Sequence, residues 1–163
     1  MKFISLARLK NETLKSNTSP RVTALSLAIG IFLAFSPFPG IHIILAFVLN
    51  KLFKLNPVVM LIGVFFHNPW TMLPIHFSGY LIGDLLINGN FNGLAMFGEF
   101  PWHELGLASI FDTSFWNTNG QALKLLFIPF FLGSLLQASV LFGISYRLSL
   151  AWLIRMGRGV ELK

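Results

Sequence analysis

The chain has 163 residues; 55% are hydrophobic, 11% are charged and none is Cys. A soluble domain carries about 25% charged residues, so this composition excludes a water-facing surface over most of the molecule, and the missing Cys excludes disulfides, iron–sulfur clusters and thiol catalysis. The net charge of +6 lies in Lys and Arg beside apolar runs, not interleaved with aromatics on a groove-reading element, so it reads as membrane topology and no nucleic acid partner is expected.

Residues 1–21 form a basic arm: Lys2, Arg8, Lys10, Lys15 and Arg21 stand against one acid, Glu12. Apolar residues recur there at helical spacing. The arm reads either as a short helix on an anionic leaflet or as a solvated basic segment. Residues 22–50 contain no Asp, Glu, Lys or Arg. That run exceeds the roughly 20 residues needed to cross a bilayer once. Pro37 and Pro39-Gly40 cut it into two pieces too short to cross alone. Lys51 and Lys54 mark a water-facing turn. Asn56-Pro57 then predicts a helix start, with Asn as cap and Pro in the first turn.

Residues 55–83 again lack Asp, Glu, Lys and Arg and are broken at His67-Asn68-Pro69-Trp70. Gly79 and Gly83 give the small-xxx-small spacing of closely packed membrane helices. Residues 84–123 turn polar and acidic. Residues 125–146 form a third apolar run, with Gln137 near its middle, followed by Arg147, Arg155, Arg158 and Lys163.

The two broken runs are a weak internal repeat. Ile29-Gly30-Ile31-Phe32 matches Ile62-Gly63-Val64-Phe65. Ser36-Pro37 follows the first and Asn68-Pro69 the second. Pro39 and Pro74 come next, then Gly40-Ile41-His42 and Pro74-Ile75-His76. Proline removes a helical hydrogen bond and restricts the residue before it. In hydrocarbon, freed backbone groups need partners inside the protein. Matched broken segments are the sequence pointer to a transporter-like site. Packed proline kinks are the plainer reading of the same letters.

Charge counting gives the expected arrangement. Basic termini and a basic turn at Lys51 and Lys54 belong on the cytoplasmic face, and the acidic 84–123 stretch outside. An all-α integral membrane fold satisfies this if the first hairpin is re-entrant, the second broken segment spans, and a C-terminal transmembrane helix returns. The expected divisions are an arm at 1–21, a paired broken-helix core at 22–87, an extracytoplasmic or interfacial connection at 88–123, and a transmembrane helix with a basic tail at 124–163.

From about Pro20 to Leu86 the sequence resembles the bacterial domain-of-unknown-function 2062 family. The resemblance rests on Ala28-Ile29-Gly30-x-Phe32, Pro37-x-x-Gly40-x-His42, Asn56-Pro57, Asn68-Pro69-x-Thr71-x-x-Pro74 and Tyr80-x-x-Gly83. It implies a bacterial inner-membrane protein with no established activity. Members joined to glycosyltransferase-like domains make an envelope glycosyltransferase an expected partner.

No paired carboxylates, His-Glu-x-x-His or Gly-x-Ser-x-Gly occur in the apolar runs, so no enzyme activity, metal or cofactor is expected. The candidate substrate-binding residues are Arg21, Ser36, His42, Asn68, Thr71 and His76. Ser36, Asn68 and Thr71 stand beside broken helices, where backbone N–H groups can face an anion; Arg21 at the entrance reads either as a partner for a phosphate or as a topology anchor. His42, His67 and His76 would gather if the breaks meet, either to bind a metal or relay a proton, or to satisfy freed carbonyls. Gly30, Pro37, Pro39, Gly40, Gly63, Pro69, Pro74, Gly79 and Gly83 are expected to be structural. Two functions fit. One is a small transporter or flippase for an anionic, lipid-linked substrate, with membrane lipids and a homodimer as partners. The other is a non-catalytic scaffold for an envelope-biosynthesis enzyme.

Overall fold

The computed structural model describes residues 19–38, 40–89, 91, 95, 98–100 and 112–158. The readings made for the N-terminal arm, for Pro39 and for the last tail residues lie outside these. Among the described residues the chain is all-helical: α1 (Pro20–Phe35), α2 (His42–Phe53), α3 (Pro57–Val64), α4 (Pro69–Asn88) and α5 (Thr113–Arg158).

Three of these helices begin in the same way. Pro occupies the first helical position, and the residue before it accepts backbone N–H groups: Ser19 for α1, Asn56 for α3 and Asn68 for α4. Proline suits that position because its missing N–H would have no partner there and its φ is already helical. The second break is therefore a helix start. Pro74 does not extend it; α4 runs through Pro74 unbroken.

α1 is central and packs on α3 and α5. Its buried positions are mostly small: Thr23, Ala24, Ser26, Ala28, Gly30 and Ala34. Small side chains let neighbouring backbones come close. The α1–α3 crossing is tightest at Gly30 and Gly63: a Cβ on Gly63 would lie 2.8 Å from the Gly30 Cα. Ser26 ties the same pair. Its hydroxyl donates to the Val22 carbonyl at 2.7 Å and accepts from the Asn56 N–H at 2.8 Å. Leu33, Ala46, Leu55, Met60 and Val64 close a core under α1, α2 and α3.

The turn between α2 and α3 holds itself. Lys54 adopts the left-handed conformation at φ 50°, and Asn50 donates to the Leu55 carbonyl at 2.9 Å. Lys51 and Lys54 are exposed.

The second crossing joins α4 to α5. A Cβ on Gly133 would lie 2.8 Å from the Gly83 Cα, Gly79 faces Ser134, and Gly83 faces Pro129. Tyr80, Phe100, Phe115 and Leu126 form a second core beside it.

α5 is the one described helix long and apolar enough to cross a membrane. α3 and α4 meet the same criterion only as a pair, bent by 72°. At 16 and 12 residues, α1 and α2 are shorter than a crossing. Large apolar side chains cover much of the surface, with Phe47 and Leu73 each 74% exposed and Trp70 90% exposed. α5 starts at Thr113, so the polar residues 113–123 are its first turns. Asp112 caps it, accepting from the Ser114 N–H at 2.8 Å and the Ser114 hydroxyl at 2.7 Å.

Candidate functional site

The ends of the two broken runs meet at a row of imidazoles. His42 opens α2, His67 sits in the turn between α3 and α4, and His76 lies two turns into α4. The rings of His42 and His67 are 4.6 Å apart between centroids, and those of His67 and His76 are 5.0 Å apart. His67 Nε2 and His76 Nε2 are 3.0 Å apart, a hydrogen bond. A bond between two ring nitrogens needs one protonated and one bare partner, so the two rings hold complementary tautomers. His42 is buried at the start of α2.

α5 closes the row from the other side. Phe131 meets Phe38 of the first break edge to face at 6.1 Å. Phe130, its neighbour, meets the His76 ring at 5.4 Å. Further along α5, Gln137 donates to the Ser78 hydroxyl of α4 at 2.9 Å. Three buried polar atoms along this seam have no hydrogen-bond partner among the described residues: His76 Nδ1, Ser134 Oγ and Gln137 Oε1. Buried polar groups are normally paired, so the α4–α5 seam is the polar anomaly of the fold.

The residues singled out from the sequence divide into three groups. His42 and His76 belong to the row. Ser36, Asn68 and Thr71 hold helix ends. The Ser36 hydroxyl is buried and donates to the Leu33 carbonyl at 2.8 Å. Asn68 Oδ1 accepts from the Trp70 and Thr71 N–H groups at 3.0 and 3.2 Å. Thr71 answers by accepting from the Asn68 N–H at 3.1 Å, and its hydroxyl donates to the Phe66 carbonyl. Arg21 is not brought to the row. It is exposed in the first turn of α1, roughly 22 Å along the helix from Ser36. Among the described residues no cluster of His, Cys, Asp or Glu has the arrangement of a metal site.

A family model described as "Uncharacterized protein conserved in bacteria (DUF2062)" matches residues 5–161. The chain belongs to that family. No curated protein and no solved structure matches it. The DUF2062 match takes in α5 as well as the broken runs, so the α4–α5 seam lies within the family's own span and is not an addition to it.

Two seam residues were visible in the sequence only as a polar letter in an apolar run, Gln137, and a small one, Ser134. Asp84 gave less warning. It reads as the first acid after the apolar run, yet it is fully buried on α4, with Asn88 donating to it at 2.6 Å. The spacing of His76, Tyr80 and Asp84, four residues at each step, is the signal that could have found it.

Proposed function

We propose that this protein is a small integral membrane transporter or flippase of the bacterial inner membrane, and that the histidine row handles an anionic, lipid-linked group. The observation that carries this reading is the convergence of His42, His67 and His76 from three separate segments at the ends of two broken runs. Ionisable side chains in apolar segments mark substrate and ion paths. The caps of α4 are already satisfied by Asn68. The donors left for an anion are imidazole N–H groups and the first turn of α2, which no side chain caps. In this reading α5 spans, the α1–α2 hairpin is re-entrant, the bent α3–α4 pair is the second spanning segment, and both termini are cytoplasmic. Membrane lipids and a second copy of the chain complete the pathway.

Dithionite quenching of a fluorescent anionic phospholipid in proteoliposomes tests it. Wild-type protein should speed translocation over protein-free vesicles, and His42→Ala and His67→Ala should slow it by about tenfold or more while remaining monodisperse. Equal rates with and without protein would overturn the reading. The scaffold reading has its own support, since Ser36, Asn68 and Thr71 are all satisfied by nearby backbone. Co-purification with an envelope glycosyltransferase from cross-linked membranes would favour it.

A further inference from the structure

We propose that His42, His67, His76, Tyr80 and Asp84 form a proton path along α4, with the proton itself as the ligand. The inference goes beyond the handling of an anionic lipid and does not require it.

The path starts where hydrogen bonding is continuous. One proton is shared between His67 Nε2 and His76 Nε2 across 3.0 Å. Moving it breaks one N–H bond and makes another. Positive charge is displaced, and nothing is oxidised or reduced. His42, whose ring meets that of His67 edge to face at 4.6 Å, is the group that delivers a proton to the pair.

On the far side of His76 the ring presents Nδ1, which is buried and unpartnered. Whichever tautomer His76 holds, that atom has hydrogen-bonding capacity unused by the fold. Ser134 Oγ and Gln137 Oε1, also unpartnered, are on the α5 face that packs against this part of α4. A hydroxyl can both donate and accept, which suits a relay step.

Beyond His76 the titratable groups continue at helical spacing. Tyr80 and Asp84 come one and two turns later, 3% and 0% exposed, on the same face of α4. Asn88, exposed at the next turn, bonds Asp84 and ends the row at the surface. α4 has 20 residues, about 30 Å of helix, which equals the hydrocarbon thickness of a bilayer. Chains of His, Asp and Glu in apolar helices are the usual construction of proton relays.

Among the described residues, few groups are seen to face the histidine part of the row. α2 contributes His42, and the turn before α4 contributes His67. α5 presents Phe130, Ser134 and Gln137, none of which titrates. Lys124, Arg147 and Arg155 on α5 are exposed, and Arg21 is at the far end of α1.

The test is proton flux into liposomes of phosphatidylethanolamine and phosphatidylglycerol containing a trapped pH dye, driven by a valinomycin-imposed potassium potential. Wild-type protein should acidify the lumen about tenfold faster than protein-free vesicles. His76→Gln, Asp84→Asn and Tyr80→Phe should each lower that rate by about tenfold. Gly143→Ala, at an open position on α5, should not. Gel filtration identifies any variant that fails to fold. A wild-type preparation no faster than empty vesicles overturns the path, as does a wild-type rate in any folded variant of the three. Lipid translocation can fail while proton flux persists, or the reverse, so the two readings fall separately.

Discussion

At the second break Asn68-Pro69 starts a helix; at the first, Ser36-Pro37 ends one. The letters are alike, and the difference lies in the residues just after them. Pro39 comes two residues after Pro37, so Phe38 precedes a proline and is pushed out of the helical region. No helix can start at Pro37. The chain instead turns at Gly40, which has φ 88°, and α2 begins at His42 with no side-chain cap. At the second break the residue two after Pro69 is Thr71, which completes a reciprocal cap with Asn68. Side chains thus pin the second break, and backbone conformation alone shapes the start of α2 at the first. A repeated pair of letters can diverge in mechanics through one proline.

That contrast can be broken most severely where the two repeats touch. Gly30→Leu or Gly63→Leu would place side-chain atoms against backbone, since even a Cβ on Gly30 would lie 2.9 Å from the Gly63 Cα. Either variant should abolish monodisperse protein in detergent extracts. Gly143→Leu, in open space, should leave yield unchanged. Equal yields for all three would show that the repeats do not need to touch.

Asn68→Ala should lower stability by about 1–2 kcal/mol by removing the cap of α4, measured as a shift in thermal unfolding. Gly40→Ala should cost about 1 kcal/mol through its positive φ. Ser36→Ala, at the other break, removes one hydroxyl-to-carbonyl bond and should cost about as much as a single hydrogen bond, roughly 1 kcal/mol. If Ser36→Ala exceeds Asn68→Ala, the first break is the more firmly held and the comparison inverts.

The smallest effect is at Asp112. Hydrogen bonds from the Ser114 hydroxyl and N–H hold its carboxyl below the ordinary value of 3.8. A lowered pKa means the cap is fully present above that ordinary value and is lost as pH falls through the lowered one. The first turn of α5 should fray on acidification, seen in the NMR shifts of Ser114 and Phe115. Asp112→Asn should remove that pH dependence while keeping the cap.

Much of the helical layout was legible, because proline and a short polar cap are local signals that packing seldom overrides. Asn56-Pro57 is read correctly as a start from two letters. The 72° bend between α3 and α4 comes from the same logic at Asn68-Pro69. The length of α5 was not legible. Residues 113–123 are mostly polar, and their few apolar residues are too sparse to announce a helix alone; Phe115 and Ala122 hold the segment by packing with Tyr80 and Phe100, contacts far apart in sequence. Gly79 and Gly83 were visible as a spacing, whereas their counterpart Gly133 depends on which face of α5 meets α4. The unpaired atoms of the seam were illegible for the same reason: pairing is a property of neighbours, and no single letter states it.

α5 has 46 residues, about 69 Å of helix against roughly 30 Å of hydrocarbon. It is clamped to α4 at Gly133, next to the histidine row. From that fulcrum to its last residue is about 37 Å, so a rocking of about 10° at the clamp would swing the far end by roughly 6 Å. α1 would travel with it through the Phe32–Phe142 contact. The length of this arm would multiply a small tilt at Gly133 into a displacement of several Å at its far end.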